Sequence, residues 1–195
     1  MGNILIELEN YAHKNRIPII LKSTRDILQV LLFAVKPKNI LEIGTAIGFS
    51  SIFMANVLGE TVKIDTIEKD PDMVDKSWSN IKEAGLDNSI RVIEGDAGEI
   101  LPVLTKEYDF IFLDAAKSRY LDFLPDCIRL VKKDGLIVSD NVLYKGMTKG
   151  PDFIRHKQRT AVTRLRSFLE EVENHPQLKT VVLDIGDGLM VSIKI

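Results

Sequence analysis

The stretch ILEIGTAIGFSS, residues 40–51, joins an apolar strand to a helix through a short turn that holds two glycines. Gly44 and Gly48 bracket the turn, and the helix is predicted to start near Ser50. Glycines let a ligand approach the backbone, and the first turn of a helix offers N–H groups without a partner inside the helix. The stretch therefore predicts either a ligand site at the end of a buried strand or an ordinary strand–turn–helix corner.

Strand-like and helix-like segments alternate from residue 39 onward. Nearly continuous apolar runs, typical of parallel strands that are buried on both faces, predict strands at 39–44, 62–69, 90–96, 108–115 and 136–142. One intervening helix has Asp70 as its predicted N-cap, Pro71 at its first position and Gly85 just beyond its end. We expect Trp78 to pack this helix against the sheet. This alternation predicts a doubly wound α/β sheet with right-handed crossovers.

The C-terminal segment departs from that alternation. Segments 180–185 and 188–195 are separated only by Gly186 and Asp187, which indicates a hairpin and hence an antiparallel pair at the end of the sheet. Two helices with apolar stripes precede the first strand. We therefore expect one domain over 1–195, with N-terminal helices in 1–35 and the α/β core in 36–195.

Composition limits the class of protein. The chain has 195 residues, of which 45% are hydrophobic and 28% charged, which suits one soluble domain. Its apolar runs are shorter than the ~20 residues of a membrane span, and its start shows no signal-peptide pattern. The formal net charge of -2 shows no overall bias toward nucleic acid, and Cys127 is the only cysteine. These observations predict a cytoplasmic protein that is not in a membrane and has no internal disulfide.

The glycine turn does not match the usual dinucleotide pattern. The spacing is G-x-x-x-G, and Ala46 stands where a second glycine would let a pyrophosphate approach the backbone. This difference argues against an NAD-dependent oxidoreductase. Glu42, inside the first strand, would be costly to bury without a partner, and an amine-bearing ligand is one possible partner.

Three acidic residues are predicted to lie at one rim of the sheet. Glu68 ends the second strand, where an acidic residue often accepts hydrogen bonds from ribose hydroxyls, and Asp96 follows the third strand. Together with Glu42, they suit a nucleoside with a positively charged amino-acid tail better than a polyphosphate. Each of them taken alone could equally be an ordinary surface turn residue.

Carboxylates also end the next two strands. Asp114 follows the fourth strand, and Asp140 with Asn141 follows the fifth. Adjacent parallel strands lie ~4.8 Å apart, so these oxygen ligands could meet around one Mg²⁺ ion. Lys117 could act as a base on a metal-bound hydroxyl, or it could simply form a surface ion pair with Asp114.

At these residues the chain resembles the cation-dependent class I S-adenosylmethionine O-methyltransferases, which include the catechol and caffeoyl-CoA enzymes. The carrying motifs are YAHKNRIPI, ILEIGTAIGFSS, TIEKD, GDA, FLDAAKSRY, SDNVLYKG and the closing IGDGLMVS. Within that family the likeness is greatest to the bacterial TrmR-type tRNA 5-hydroxyuridine methyltransferases. The resemblance implies a Rossmann-like, seven-stranded, mostly parallel sheet with helices on both faces and a C-terminal antiparallel hairpin. It also implies S-adenosylmethionine and Mg²⁺ as cofactors, and a homodimer.

The resemblance carries roles over by position. It implies that the methionine part of the cofactor lies against the glycine turn, the ribose at Glu68 and the adenine at Asp96. It makes Lys117 the base. The implied cofactor residues are Ile20, Glu42, Gly44, Ser50, Glu68, Asp96 and Asp114, and the implied metal ligands are Asp114, Asp140 and Asn141.

The substrate stays open between tRNA and a catechol-like small molecule. Both offer two neighbouring oxygens, so the predicted metal site does not distinguish them. Residues 144–166 favour RNA, because seven basic residues stand there against one acidic residue. The basic residues are Lys145, Lys149, Arg155, Lys157, Arg159, Arg164 and Arg166. The alternative for this basic segment is a solvated helix face, and Tyr120 and Tyr144 could stack on either substrate.

Overall fold

A computed structural model describes residues 3–59, 61–143 and 159–195. The helices are α1 (Asn3–Asn15), α2 (Lys22–Val35), α3 (Phe49–Leu58), α4 (Pro71–Glu83), α5 (Ala97–Ile100), α6 (Tyr120–Leu130) and α7 (Arg159–Asn174). The strands are β1 (Asn39–Ile43), β2 (Lys63–Glu68), β3 (Ile90–Glu94), β4 (Tyr108–Leu113), β5 (Val131–Asp140), β6 (Leu178–Leu183) and β7 (Leu189–Lys194). Short 3-10 turns occupy Leu101–Val103 and Lys117–Arg119.

The described strands form a seven-stranded sheet in the order β3-β2-β1-β4-β5-β7-β6. The recorded pairs among β1 to β5 are parallel, and β7 pairs antiparallel with both β5 and β6. The predicted mostly parallel sheet with a C-terminal antiparallel hairpin is therefore confirmed. The described chain divides into two compact units, Met1–Ala97 and Gly98–Ile195, and the single domain over 1–195 stays a prediction.

The first unit holds β1, β2 and β3 in parallel register, with buried apolar side chains on each strand. The predicted boundaries of α4 are confirmed. The Asp70 carboxylate accepts a hydrogen bond from the Asp72 N–H at 3.0 Å, Pro71 begins the helix and Gly85 follows it with φ +67°. Trp78, which we expected to pack the helix against the sheet, is 37% exposed instead and lies under the Lys82 ammonium.

The second unit packs α6 and α7 around fully buried aromatic residues. The rings of Tyr120 and Phe168 meet edge to face, with their centroids 5.5 Å apart. Cys127 is buried in α6, and the Lys194 ammonium donates hydrogen bonds to the Ile128 and Val131 carbonyls at the end of that helix. The strand predicted at 136–142 begins earlier, at Val131, because the polar residues 132–135 conceal its first half from a hydrophobicity pattern.

Among the described residues, no helix combines the length and the apolar character that crossing a bilayer requires.

Candidate active site

The glycine turn is held in left-handed backbone conformations. The φ angles are +103° at Gly44, +45° at Ala46 and +81° at Gly48. A Cβ atom at Gly48 would touch Ser77 of α4 at 3.4 Å, so the turn lies close against that helix. The Asn80 side-chain amide of α4 also donates a hydrogen bond to the Ile47 carbonyl at 2.8 Å. Helix α4 therefore fixes the shape of the turn.

Glu42 lies beneath this turn and is fully buried. Its carboxylate accepts hydrogen bonds from the hydroxyls of Ser50 and Thr66, each at 2.5 Å, and from the hydroxyl of Ser51. Thr66 donates its only hydroxyl hydrogen to the Glu42 carboxylate. The Thr45 hydroxyl, whose oxygen lies 2.6 Å from that of Thr66, therefore donates to the Thr66 oxygen. Side-chain hydroxyls of its own unit are therefore partners of the buried Glu42 carboxylate, and an amine-bearing ligand as a further partner stays a prediction.

Glu68 is the last residue of β2, and its carboxylate joins the glycine turn to the loop that follows β2. It accepts hydrogen bonds from the N–H groups of Ala46 at 2.8 Å, Lys69 at 2.9 Å and Asp70 at 3.0 Å. A carboxylate has about four acceptor positions, and these bonds use three of them. Glu68 is half-buried, so it reaches solvent at the rim while it holds the glycine turn in place.

The other predicted cofactor residues of the first unit differ in exposure. Ile20 is buried at 3% exposure between α1 and α2 in the sequence. Ser50, in the first turn of α3, is 7% exposed, and Asp96 is half-buried just before α5. Two groups here suit a nucleoside with an amino-acid tail: the half-buried Glu68 carboxylate as an acceptor, and the N–H groups at the N-terminus of α3 as donors. Sequence reasoning missed Thr45, Ser51, Thr66 and Asn80, because isolated polar residues in buried elements give no periodic signal.

In the second unit, Asp114 directly follows β4, and Lys117 stands on the next turn. The Lys117 ammonium lies 2.7 Å from Asp114 Oδ1, and both side chains are 21% exposed. The ion pair that the sequence suggested as an alternative is therefore formed. It also holds the Lys117 amine at the end of β4, within reach of solvent.

Asp140 ends β5 and is 1% exposed. Its Oδ1 atom accepts a hydrogen bond from the Asn141 N–H at 2.7 Å, and Asn141 has a left-handed φ of +56°. The two following N–H groups, of Val142 and Leu143, donate to the carbonyls of Gly188 and Asp187 at 3.0 and 2.9 Å. The turn before β7 thus fixes the Asp140–Asn141 corner.

Tyr120, at the start of α6, is fully buried, so the expectation that it stacks on a substrate is wrong. Its hydroxyl oxygen lies 3.0 Å from the Leu113 carbonyl and 3.0 Å from the Asp140 carbonyl. Burial raises the pKa of the Tyr120 hydroxyl well above 10, and the negative charges of Asp114 and Asp140 raise it further. The hydroxyl therefore stays protonated and donates its hydrogen.

The second unit offers donors that fit Mg²⁺. Within the described residues no three His, Cys, Asp or Glu side chains come together as a metal site. The predicted set needs only two carboxylates and one amide, and oxygen donors of this kind suit Mg²⁺. The Tyr120 hydroxyl lies 3.0 Å from the backbone carbonyl of Leu113, the residue before Asp114, and 3.0 Å from that of Asp140. The backbones that carry the two carboxylates therefore meet at one side chain, and Asn141 follows Asp140 in the chain.

The basic segment 144–166 lies mostly outside the described residues, from Tyr144 to residue 158. In its described part, the Arg164 guanidinium donates hydrogen bonds to the Ser118 carbonyl and to the Asp122 carboxylate. Arg164 therefore attaches α7 to the start of α6. Arg159 is exposed and Arg166 is half-buried.

Three comparisons identify relatives of this chain. A catechol O-methyltransferase of Niastella koreensis is 39% identical over 123 residues, which span 61% of this chain and 56% of that relative. A candidate caffeoyl-CoA O-methyltransferase of Staphylococcus aureus has a crystal structure with a TM-score of 0.93 and 35% identity, covering 100% of this chain and 93% of that one. A Podospora anserina methyltransferase, solved with SAH bound, has a TM-score of 0.90 and 26% identity, covering 100% and 89%.

The profile of the O-methyltransferase family matches residues 2–195. The match includes the glycine turn, the acidic rim and both carboxylate corners described above. The chain belongs to the O-methyltransferase family.

Proposed function

We propose that this O-methyltransferase transfers the methyl group of S-adenosylmethionine to a hydroxyl that has a second oxygen beside it, with Mg²⁺ bound at the ends of β4 and β5. The observation that carries the proposal is the arrangement around Tyr120. The Tyr120 hydroxyl lies 3.0 Å from the carbonyl of Asp140 and 3.0 Å from that of Leu113, which precedes Asp114. Asp114 itself is paired with Lys117. Two carboxylates and an adjacent amine suit a substrate that chelates a hard cation.

The first unit would bind the methyl donor. The first turn of α3 offers backbone N–H groups to the methionine carboxylate. Glu68 offers its remaining acceptor position to the ribose, and Asp96 would face the adenine. The hydrogen bonds from Ser50 and Ser51 to Glu42 attach the start of α3 to β1, and this fixes the position of the turn between them.

In the second unit, Asp114, Asp140 and Asn141 would hold Mg²⁺. A bound cation lowers the pKa of a coordinated hydroxyl, which makes the substrate oxygen easier to deprotonate. A cation bound at Asp114 would favour the neutral amine of Lys117 over the ammonium, and that amine would then accept the proton of the substrate hydroxyl. The contact of 2.7 Å with the Asp114 carboxylate places the Lys117 nitrogen at the end of β4. The main contributions of the chain's residues are therefore orientation and proton removal.

The preferred substrate is 5-hydroxyuridine in tRNA, whose base offers two neighbouring oxygens. Support comes from the basic residues in 144–166 and from the exposure of Arg159. The engagement of Arg164 with Asp122 removes one cation from that argument. A catechol-like small molecule is the second candidate, favoured by the name of the Niastella koreensis relative.

A cytoplasmic homodimer remains part of this proposal, and light scattering would measure its mass.

The test incubates purified protein, S-adenosylmethionine and Mg²⁺ with tRNA that contains 5-hydroxyuridine, and a parallel tube contains a catechol. Nucleosides from the digested tRNA are analysed for 5-methoxyuridine by mass spectrometry. The matched variants are Arg159→Glu, which reverses an exposed charge in the basic segment, and Lys179→Glu, which reverses an exposed charge on β6.

The proposal expects 5-methoxyuridine from the wild type and less of it from Arg159→Glu, with Lys179→Glu unchanged. Methyl transfer to the catechol alone would move the function to a small-molecule enzyme. If neither the tRNA nor the catechol is methylated, both proposed substrates are wrong.

A further inference from the structure

Tyr120 bridges the ends of two neighbouring strands. Its hydroxyl lies 3.0 Å from the carbonyl oxygen of Leu113, the last residue of β4, and 3.0 Å from that of Asp140, the last residue of β5. The recorded β4–β5 register ends at the pair Leu113 and Ser139. The hydroxyl therefore adds a link between the strands just beyond their last paired residues.

The same hydroxyl contacts the backbone next to both candidate metal ligands. On β4 it interacts with the carbonyl of Leu113, the residue directly before Asp114. On the other strand it interacts with the carbonyl of Asp140 itself. A single side chain thus joins the backbones that carry the two carboxylates.

The position of the hydroxyl is fixed by its surroundings. Tyr120 is fully buried, and the Phe168 ring of α7 meets its ring at an interplanar angle of 72°. A buried ring with a packed neighbour has little freedom to rotate, so the hydroxyl acts as a rigid spacer between the strand ends.

We propose that Tyr120 is a positioning residue that sets the distance between the Asp114 and Asp140 carboxylates and thereby the affinity of this site for a divalent cation. The inference rests on the proposed metal use. Loss of the hydroxyl leaves the strand ends joined by the ladder alone, so the carboxylates lose their common support. Removing a group that orients metal ligands typically lowers metal affinity by about 10- to 100-fold.

The test measures Mn²⁺ binding to the full chain by electron paramagnetic resonance, in the presence of SAH and without turnover. Tyr120→Phe removes only the hydroxyl. The matched control is Thr180→Val, which also removes a hydroxyl from the second unit. The Thr180 hydroxyl donates to the Val172 carbonyl at 2.9 Å and contacts Ser192 at 2.7 Å. Circular dichroism checks that each variant is folded.

The expected result is Mn²⁺ binding that is at least about 10-fold weaker in Tyr120→Phe and unchanged in Thr180→Val. Equal binding by Tyr120→Phe and wild type would overturn the positioning role and leave the proposed function intact. Absence of Mn²⁺ binding by the wild type would overturn the proposed metal use, and the inference with it. If Tyr120→Phe does not fold, Phe168→Leu decides, because it frees the tyrosine ring and should weaken Mn²⁺ binding in the same direction.

Discussion

At the scale of single residues, Glu42 determines the environment beneath the glycine turn. Three hydroxyls donate to its carboxylate, and two of them belong to α3. Replacing the carboxylate by an amide reduces its acceptor capacity and leaves buried hydroxyls poorly satisfied. The hydroxyls were not predictable from sequence, because Ser and Thr residues in buried elements resemble any other small residue.

We predict that Glu42→Gln lowers the free energy of unfolding by about 1 to 3 kcal/mol. It should also weaken binding of S-adenosylmethionine, because the turn and α3 lose their common anchor. Urea denaturation and calorimetric titration measure the two effects. Glu94→Gln, at an exposed position on β3, is the control and should stay within about 0.5 kcal/mol. Equal stability of the two variants would contradict an anchoring role.

Cys127 gives a second prediction at this scale. Burial raises the pKa of its thiol to about 12, so at pH 8 only about one folded molecule in ten thousand carries the reactive thiolate. We expect iodoacetamide to leave Cys127 unmodified in the native protein and to alkylate it once the chain is denatured. Mass spectrometry of the two samples reads out the result, and rapid labelling of the folded protein would disprove the burial.

At the scale of elements, the turn before β7 positions the Asp140–Asn141 corner. A Cβ atom at Gly188 would lie 2.3 Å from Leu143 Cγ and 2.6 Å from the Leu143 nitrogen. Gly188 also has a left-handed φ of +91°. Only glycine allows this close approach without a shift of the corner. The hairpin itself was predictable from Gly186 and Asp187, but its contact with residues 142–143 depends on the antiparallel register and was not.

We predict that Gly188→Ala displaces Leu143 and, through it, the corner. The free energy of unfolding should fall by more than about 2 kcal/mol, and the Mg²⁺ concentration for half-maximal rate should rise. Gly85→Ala is the matched control, since Gly85 also has a positive φ of +67° but has no atom within 4 Å of the added Cβ. In Gly85→Ala the free energy of unfolding should fall only by the cost of backbone strain, about 1 kcal/mol, and the Mg²⁺ concentration for half-maximal rate should not change.

Other elements were predictable to different degrees. Continuous apolar runs identified the strands of the parallel sheet, since burial on both faces leaves little room for polar residues. The first half of β5 was missed because Lys132, Lys133 and Asp134 interrupt its apolar pattern. Trp78 and Tyr120 were misassigned for another reason. The sequence does not show whether the large ring of Trp78 packs inward or lies at the surface. It also does not show that the Tyr120 hydroxyl has acceptors in the protein interior.

At the scale of the whole molecule, the structure has Glu68 and Asp140 as the last residues of β2 and β5, and Asp114 directly after β4. Their roles in binding stay predictions. The positions of Glu68, Asp114 and Asp140 followed from the rule that ligands bind beyond the carboxyl ends of parallel strands. The distances and the shared tyrosine did not follow, because they depend on side-chain packing. The choice of substrate is not encoded in the motifs, since tRNA and catechols present the same pair of oxygens.

Ligand-dependent stability distinguishes the methyl donor from a dinucleotide. S-adenosylmethionine at about 100 times its dissociation constant should stabilise the chain by ~2.7 kcal/mol, which raises the melting temperature by roughly 5 to 10 °C. NAD at the same concentration should cause no shift, because Ala46 blocks close approach of a pyrophosphate. Differential scanning fluorimetry measures both. A shift with NAD alone would reverse the assignment of the glycine turn.

The most direct measurement is the rate of methyl transfer from S-adenosylmethionine with and without EDTA, followed by addition of Mg²⁺, for wild type and Asp140→Ala. The account predicts that EDTA abolishes the transfer in the wild type, that Mg²⁺ restores it, and that Asp140→Ala stays inactive at every Mg²⁺ concentration. A wild-type rate that is undiminished in EDTA, or full activity of Asp140→Ala, would contradict a role for a metal at the ends of β4 and β5.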